Sequence, residues 1–292
     1  MTPGRFLLPL FLPFVSAGCD SPSKADDVSW KAVACDSAKP YRGPTLHRPP
    51  AREVFLEAAE PLGEAFDSAT VSRLERALEK AMEATKAPAM TEAVGVPGRG
   101  IWSATRGTDG EVPRWFCFAS VGKAFTAAVD LQLVEEGKLS LDDRLARWFP
   151  DYPNAKAISI DHLLSHTSGV CSFQNDPALR THPGYHAPEE LIAIARAHGN
   201  GFCPGEFWTY SNTGYVMLGR IVEHIENRPF HEVPTGRVMQ RLGLQHTKAL
   251  APQESASGLT TPYAAGNVVA TAADIVEFWH ALLGGRILNS ET

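Results

Sequence analysis

The chain has 292 residues, 44% of them hydrophobic and 21% charged, enough for one large domain or two intimate lobes with a sizeable core. That balance excludes a disordered chain. The net charge of −6 comes with no block of Lys or Arg, which argues against nucleic acid as a partner.

In chain order, the N-terminus reads "MTPGRFLLPLFLPFVSAGCD". One Arg precedes an apolar run from Phe6 to Val15, too short to span a bilayer and interrupted by Pro9 and Pro13. Residues 1–18 therefore read as a signal peptide and the mature protein as exported. Small residues before Cys19 resemble a lipoprotein cleavage site, so Cys19 is the expected lipidation point of a periplasmic or cell-surface membrane-anchored protein. Ser16 departs from the Leu usual three positions before such a Cys, and a simple secretory signal is the other reading. Residues 19–53, rich in Pro, Ser and charge, read as a lipid-anchored or flexible tether, and residues 54–292 as the domain.

Within the domain, "SATVSRLERALEKAMEATKA" carries Leu74, Leu78 and Met82 at helical spacing. Two short strands follow around a Gly-rich turn. The "GVPGRG" between them lacks the Lys-Ser/Thr ending of a phosphate loop and reads as a turn. Ser120 to Glu136 is apolar around most of its circumference and stops at Gly137, the pattern of a buried central helix. "SLDD" at Ser140–Asp143 has capping-box character for a next helix, and "SIDHLLSHTSGV" predicts a short helix ending at Gly169. Three more helices are expected in "APEELIAIARAHGN", "YSNTGYVMLGRIVEHIEN" and "ATAADIVEFWHALLGG", the last capped by Thr271 and closed by Gly284.

Five cysteines occur, at 19, 35, 117, 171 and 203. If Cys19 carries lipid, the remaining ones face an oxidising compartment, and their pairing cannot be assigned from sequence. A Cys171–Cys203 bridge and a free buried Cys are both open. No C-x-x-C supports zinc or redox chemistry.

Ser120 and Lys123 lie one turn apart at the start of the buried helix. A Ser hydroxyl is a poor nucleophile unless a neighbour takes its proton, and a desolvated Lys with a lowered pKa can do so. The spacing alone is cheap: Ser21 and Lys24 share it in a polar stretch. Tyr210 and Asn212, in "YSN", bring a phenol and an amide out of a Gly/Pro-rich loop. Tyr152 and Asn154 copy that spacing in "DYPNAK".

Taken together, "FASVGKAFTAAVDLQLVEEGKLSLDD", "HLLSHTSGV", "PGEFWTYSNTGYVMLGRIVE" and "TAADIVEFWHALLGG", in that order, resemble the serine β-lactamase and penicillin-binding protein superfamily. Class C β-lactamases, D-alanyl-D-alanine carboxypeptidases and related esterases are the nearest in pattern, over about residues 66–292. The resemblance implies an α+β fold, a helical lobe beside an antiparallel sheet. It implies that Ser120 attacks a carbonyl while Lys123 and Tyr210 shuttle the proton. Asn212 would bind the substrate's amide carbonyl or the Lys123 side chain. The substrate would be a β-lactam, a D-Ala-D-Ala peptide of the cell wall, or an ester, with no metal or organic cofactor.

Two departures stand out. The family's third motif, a Lys or His leading to a Gly on a late strand, is not found among these 292 residues, and Asn267 replaces a usual Gly. Losing one oxyanion donor typically costs about 100- to 1,000-fold in turnover. The resemblance therefore implies weak or undetectable turnover, with two strands short of sheet partners. An inactive homologue or a penicillin-binding or interaction protein is the alternative. His162 and His166 have i, i+4 spacing, but no third ligand accompanies them, and the same holds for His182 and His186. Phe207 and Trp208 have two readings, lining the cleft or, as is commoner for an aromatic before a helix, packing; the absence of G-x-S-x-G argues against an α/β-hydrolase triad.

Overall fold

The computed structural model describes residues 32–45, 52–107, 115–177, 179, 185–254 and 263–289. The signal-peptide segment 1–18, the lipidation candidate Cys19 and His182 lie outside those residues. Among the described residues no helix is long and apolar enough to cross a membrane.

The chain enters along the surface at 32–45 and forms helix α1 (Arg52–Ala58) and helix α2 (Ser68–Thr85), the latter capped by the Asp67 side chain accepting the Thr70 N–H. Strands β1 (Ala89–Val96) and β2 (Gly100–Gly107) make an antiparallel hairpin with Val94 opposite Trp102. The two strands pair with each other, and Trp102 turns inward to donate from its indole to Glu75 on α2. After β3 (Phe116–Cys117), a 3-10 turn over Ala119–Val121 runs into helix α3 (Gly122–Glu135). Helix α4 (Ile160–Leu164), helix α5 (Pro188–His198) and helix α6 (Asn212–Glu226) follow. A short irregular helical stretch at 232–240 leads to β4 (Thr247–Ala249), β5 (Val268–Ala270) and helix α7 (Ala272–Leu283). β5 lies between β3 and β4 in a second antiparallel sheet. The fold is α+β.

Helix α3 is the axis of the core. Phe125, Ala128, Val129 and Leu133 are buried on it, and the Phe125 ring stacks on Phe278 of α7 at 3.8 Å between centroids. Its helix ends at Gly137, whose φ of +67° suits a residue without Cβ. Ser211 caps α6 by accepting the Gly214 N–H, and Thr271 caps α7 by accepting the Asp274 N–H.

Several elements depart from the sequence expectation. The Ser140–Asp143 stretch makes the reciprocal bonds of a cap, Ser140 N–H to Asp143 Oδ2 and Asp142 N–H to Ser140 Oγ, but they close a turn, not a helix. α4 stops at Leu164, five residues short of Gly169, because the chain turns left-handed at His166, φ +61°. The disulfide joins Cys35 to Cys203, leaving Cys171 buried and free. The segment 19–53 was expected to be a tether, yet its part at 32–45 is bonded along residues 200–206, with Lys39 N–H donating to Pro204 O at 2.8 Å.

One core residue is costly. Asp130 on α3 is fully buried, neither carboxylate oxygen has a hydrogen-bond partner among the described residues, and burial pushes its pKa well above the usual 3.8. The folded state thus holds a proton there that the unfolded state releases, so stability falls as pH rises above 3.8 toward the folded value. Asp130→Asn is expected to flatten that slope, and Asp130→Val to raise stability at neutral pH by about 1–3 kcal/mol, the usual cost of an unsatisfied buried polar group. Urea unfolding of the three proteins between about pH 4 and pH 8 measures both.

Candidate active site

Ser120 sits at the entrance to α3, in the 3-10 turn, where the positive end of the helix dipole is nearest. The turn is forced: Ala119 has φ +44°, a left-handed conformation that a residue with Cβ adopts at some cost. Phe118 N–H donates to Val268 O at 3.1 Å, tying the turn to β5. Ser120 is exposed, whereas Lys123, one turn along, is only 6% accessible.

The helix entrance approaches the 263–268 segment closely. A Cβ on Gly122 would lie 3.0 Å from Gly266 Cα, so the glycine permits the contact. That proximity delivers two carbonyl oxygens to α3. Thr126 Oγ1 donates to Ala264 O at 2.6 Å, and Lys123 Nζ donates to Ala265 O at 2.6 Å.

Lys123 Nζ also donates to Asn212 Oδ1 at 2.6 Å and lies 3.2 Å from Ser120 Oγ. The rings of Tyr210 and Tyr215 close the remaining directions, with centroids 4.8 and 5.4 Å away. Burial pushes the Lys123 pKa from 10.5 down to about 7. An ammonium has three N–H donors and an amine two plus a lone pair. On deprotonation, the carbonyl oxygens of Asn212 and Ala265 keep the two N–H groups, and the lone pair is left toward the Ser120 hydroxyl.

Tyr210 O–H donates to Ser120 Oγ at 2.7 Å. Burial raises the phenol's pKa, partly countered by that bond. The ring is backed by His166, 4.5 Å between centroids, and His166 Nδ1 accepts the Ser211 N–H at 3.2 Å. Burial, with Lys123 nearby, lowers the His166 pKa to about 4, so the imidazole is neutral at pH 7 and its proton is on Nε2.

Asn212 opens α6. Its backbone N–H donates to Ser172 Oγ at 3.2 Å, and its amide Nδ2 donates to Gln174 Oε1. The structure therefore brings Ser120, Lys123, Tyr210 and Asn212 together. Sequence reading missed Ala265, Gln174 and His166 as parts of the site. The carbonyl of Ala265 leaves no trace in residue identity, Gln174 lies in a stretch without periodicity, and the i, i+4 spacing of His166 with His162 points to a ligand or a structural group, not to a partner of Tyr210. His162 is likewise a structural group, its Nδ1 accepting the Ser159 N–H at the cap of α4. Asn267, in place of a glycine, donates from Nδ2 to Leu250 O at 3.1 Å and so laces β5 to the end of β4. Phe207 and Trp208 are 40% and 42% accessible, and each meets another ring edge-on, Phe207 with Phe202 and Trp208 with His166.

The family model for β-lactamase matches residues 74–292. The chain belongs to the β-lactamase family. Penicillin-binding protein 4 of Amycolatopsis lactamdurans is 34% identical over 145 residues, covering 48% of this chain and 37% of that protein. Esterase EstB of Burkholderia gladioli is 31% identical over 147 residues, 44% of this chain and 37% of the esterase. This family member spans less than half the length of the curated relatives it matches. Among solved structures, the D-amino acid amidase of Ochrobactrum anthropi SV3 superposes with a TM-score of 0.64 at 28% identity, over 72% of this chain and 68% of the amidase. The penicillin-binding protein of Bacillus halodurans gives 0.59 at 28% identity, over 73% and 74%.

The buried amine has a stability signature. Between about pH 7 and 10.5 the unfolded chain holds a proton on Lys123 that the folded β-lactamase-family site has released, so stability rises with pH across that window. Lys123→Met is expected to remove the rise, read as a difference between the two proteins' unfolding free energies from pH 7 to pH 10.

Proposed function

We propose that the protein is a serine hydrolase that forms an acyl-enzyme on an amide or ester. One observation carries this reading: Ser120 Oγ stands between a desolvated amine at 3.2 Å and a phenol at 2.7 Å. In the first step Ser120 Oγ bonds to the substrate carbonyl carbon and its proton passes to Lys123 Nζ. The C–N or C–O bond then breaks as Tyr210 O–H gives its proton to the departing nitrogen or oxygen, and Lys123 returns a proton to the phenolate. Water hydrolyses the acyl-enzyme by the reverse relay. The backbone N–H of Ser120 supplies an oxyanion donor at the helix entrance. Asn212, shared between Lys123 and Gln174, is placed to take a substrate amide carbonyl in exchange for Gln174.

The relatives named above, a penicillin-binding protein, an esterase and a D-amino acid amidase, support acyl transfer on β-lactam, ester or D-amino acid amide substrates. The Cys35–Cys203 disulfide supports work in an oxidising, exported compartment.

The decisive test is covalent. A fluorescent penicillin and p-nitrophenyl acetate are offered to the protein and to three variants. Ser120→Ala is expected to abolish both labelling and ester turnover; labelling that persists would overturn the reading. Tyr210→Phe should slow acylation by about 10²- to 10⁴-fold, the usual worth of a positioned acid–base group. Because the amine must be neutral to accept the proton, acylation by the unaltered protein should fall as pH drops through about 7. Lys123→Ala should lose that limb together with the activity.

A further inference from the structure

The loop that carries Tyr210 to Ser120 has no helix or strand of its own and is gripped on both sides. Toward the protein, Gly201 N–H donates to Gly169 O at 2.9 Å, Gly205 N–H to Thr167 O at 2.8 Å and Thr209 N–H to His166 O at 3.0 Å. On the outer side lies the N-terminal segment. Val33 N–H donates to Asn200 O at 3.0 Å, Lys39 N–H to Pro204 O at 2.8 Å and Arg42 N–H to Glu206 O at 2.8 Å. Cys35–Cys203 fixes the register of these bonds covalently.

The Tyr152/Asn154 pair that copies the site's spacing has its own task here. Asn154, left-handed at φ +59°, accepts the Cys35 N–H on Oδ1 at 2.8 Å and donates from Nδ2 to Val33 O at 2.7 Å. One side chain thus reads donor and acceptor of the segment's backbone, as a neighbouring strand would. Gly205 completes the fit: a Cβ there would meet Lys39 O at 2.5 Å, so any side chain would push the segment away.

We infer that residues 32–45 are a strap that positions Tyr210, with Asn154 and the Cys35–Cys203 bridge as positioning residues that fasten it. The inference rests on the reading that Tyr210 moves a proton at Ser120. Tyr210 lies four residues beyond the last strap bond, that of Glu206, and reaches Ser120 through a single 2.7 Å contact. Proton transfer tolerates little displacement, and about 1 Å of misplacement can cost 10²-fold. Releasing the outer grip leaves the inner bonds to hold the loop alone, so the phenol spends less time on Ser120.

The test uses the full chain in three states: oxidised, reduced after folding with dithiothreitol, and Asn154→Gly. Glycine keeps the left-handed backbone and removes only the amide. The readouts are hydrogen–deuterium exchange at Gly205 and Thr209, and kcat and KM for p-nitrophenyl acetate. Reduction and Asn154→Gly are each expected to speed exchange at both amides at least about tenfold, as local opening does, while leaving α7 unchanged. They should lower kcat by roughly tenfold with KM held within about threefold. Asn154→Asp, which retains the acceptor for Cys35 N–H, should recover part of the loss. Unchanged exchange at Gly205 and Thr209, or equal acceleration in α7, would overturn the strap. Faster exchange with an unaltered kcat would overturn its role in positioning Tyr210. If the oxidised protein neither turns over the ester nor is acylated, yet its loop loosens as described, the hydrolase reading fails while the strap stands.

Discussion

Everything at the site turns on where one amine is kept. Lys123 is nearly buried, and the acceptors around it are neutral: the Asn212 amide oxygen, the Ala265 carbonyl and the Ser120 hydroxyl. Among the described residues no carboxylate pairs with it, so desolvation dominates and the amine loses its proton far more readily than in water. A carboxylate in place of either carbonyl would hold the ammonium and work against the role of base proposed for it. The neutral donors and acceptors therefore orient the nitrogen without charging it.

The surrounding structure serves that requirement by bringing three chain segments to one helix entrance. The 263–268 segment supplies Ala265 O, the head of α6 supplies Asn212, and the loop before it supplies Tyr210. The 165–174 segment sits behind them, with His166 under Tyr210 and Ser172 and Gln174 on Asn212. Polar side chains at the site are thus held by backbone groups or by each other. Acid–base chemistry needs such preorganisation because a loose donor spends its binding energy on ordering at the moment of reaction.

Much of the helical half was legible from sequence. α3 could be read because apolar residues surround it until Gly137, α6 because Leu218, Ile221, Val222 and Ile225 share one face, and α7 because Thr271 stands as a cap before its first turn. β4 and β5 were not legible: three residues each are too few for an alternating pattern to register. Ser120, Lys123, Tyr210 and Asn212 were recoverable from context, a buried helix and a Gly/Pro-rich loop within four segments in family order, because Ser21/Lys24 and Tyr152/Asn154 copy the bare spacings. The parts that escaped are of another kind. Ala265 contributes a backbone oxygen that any residue would carry, and the pairing of Cys35 with Cys203 spans 168 residues whose approach only the folded chain reveals. Asn154 looked like an idle echo of the site and instead fastens the segment that was expected to hang free.

The bare backbone at Gly122 reaches further than packing. A Cβ at Gly122 would lie 3.0 Å from Gly266 Cα, so the backbone next to the Ala264 and Ala265 carbonyls would have to give by a few tenths of an ångström. The shift would be small, but it would fall on the backbone that carries the oxygen bound to Lys123 Nζ. The room around a buried amine thus depends in part on an atom missing from the residue next to it.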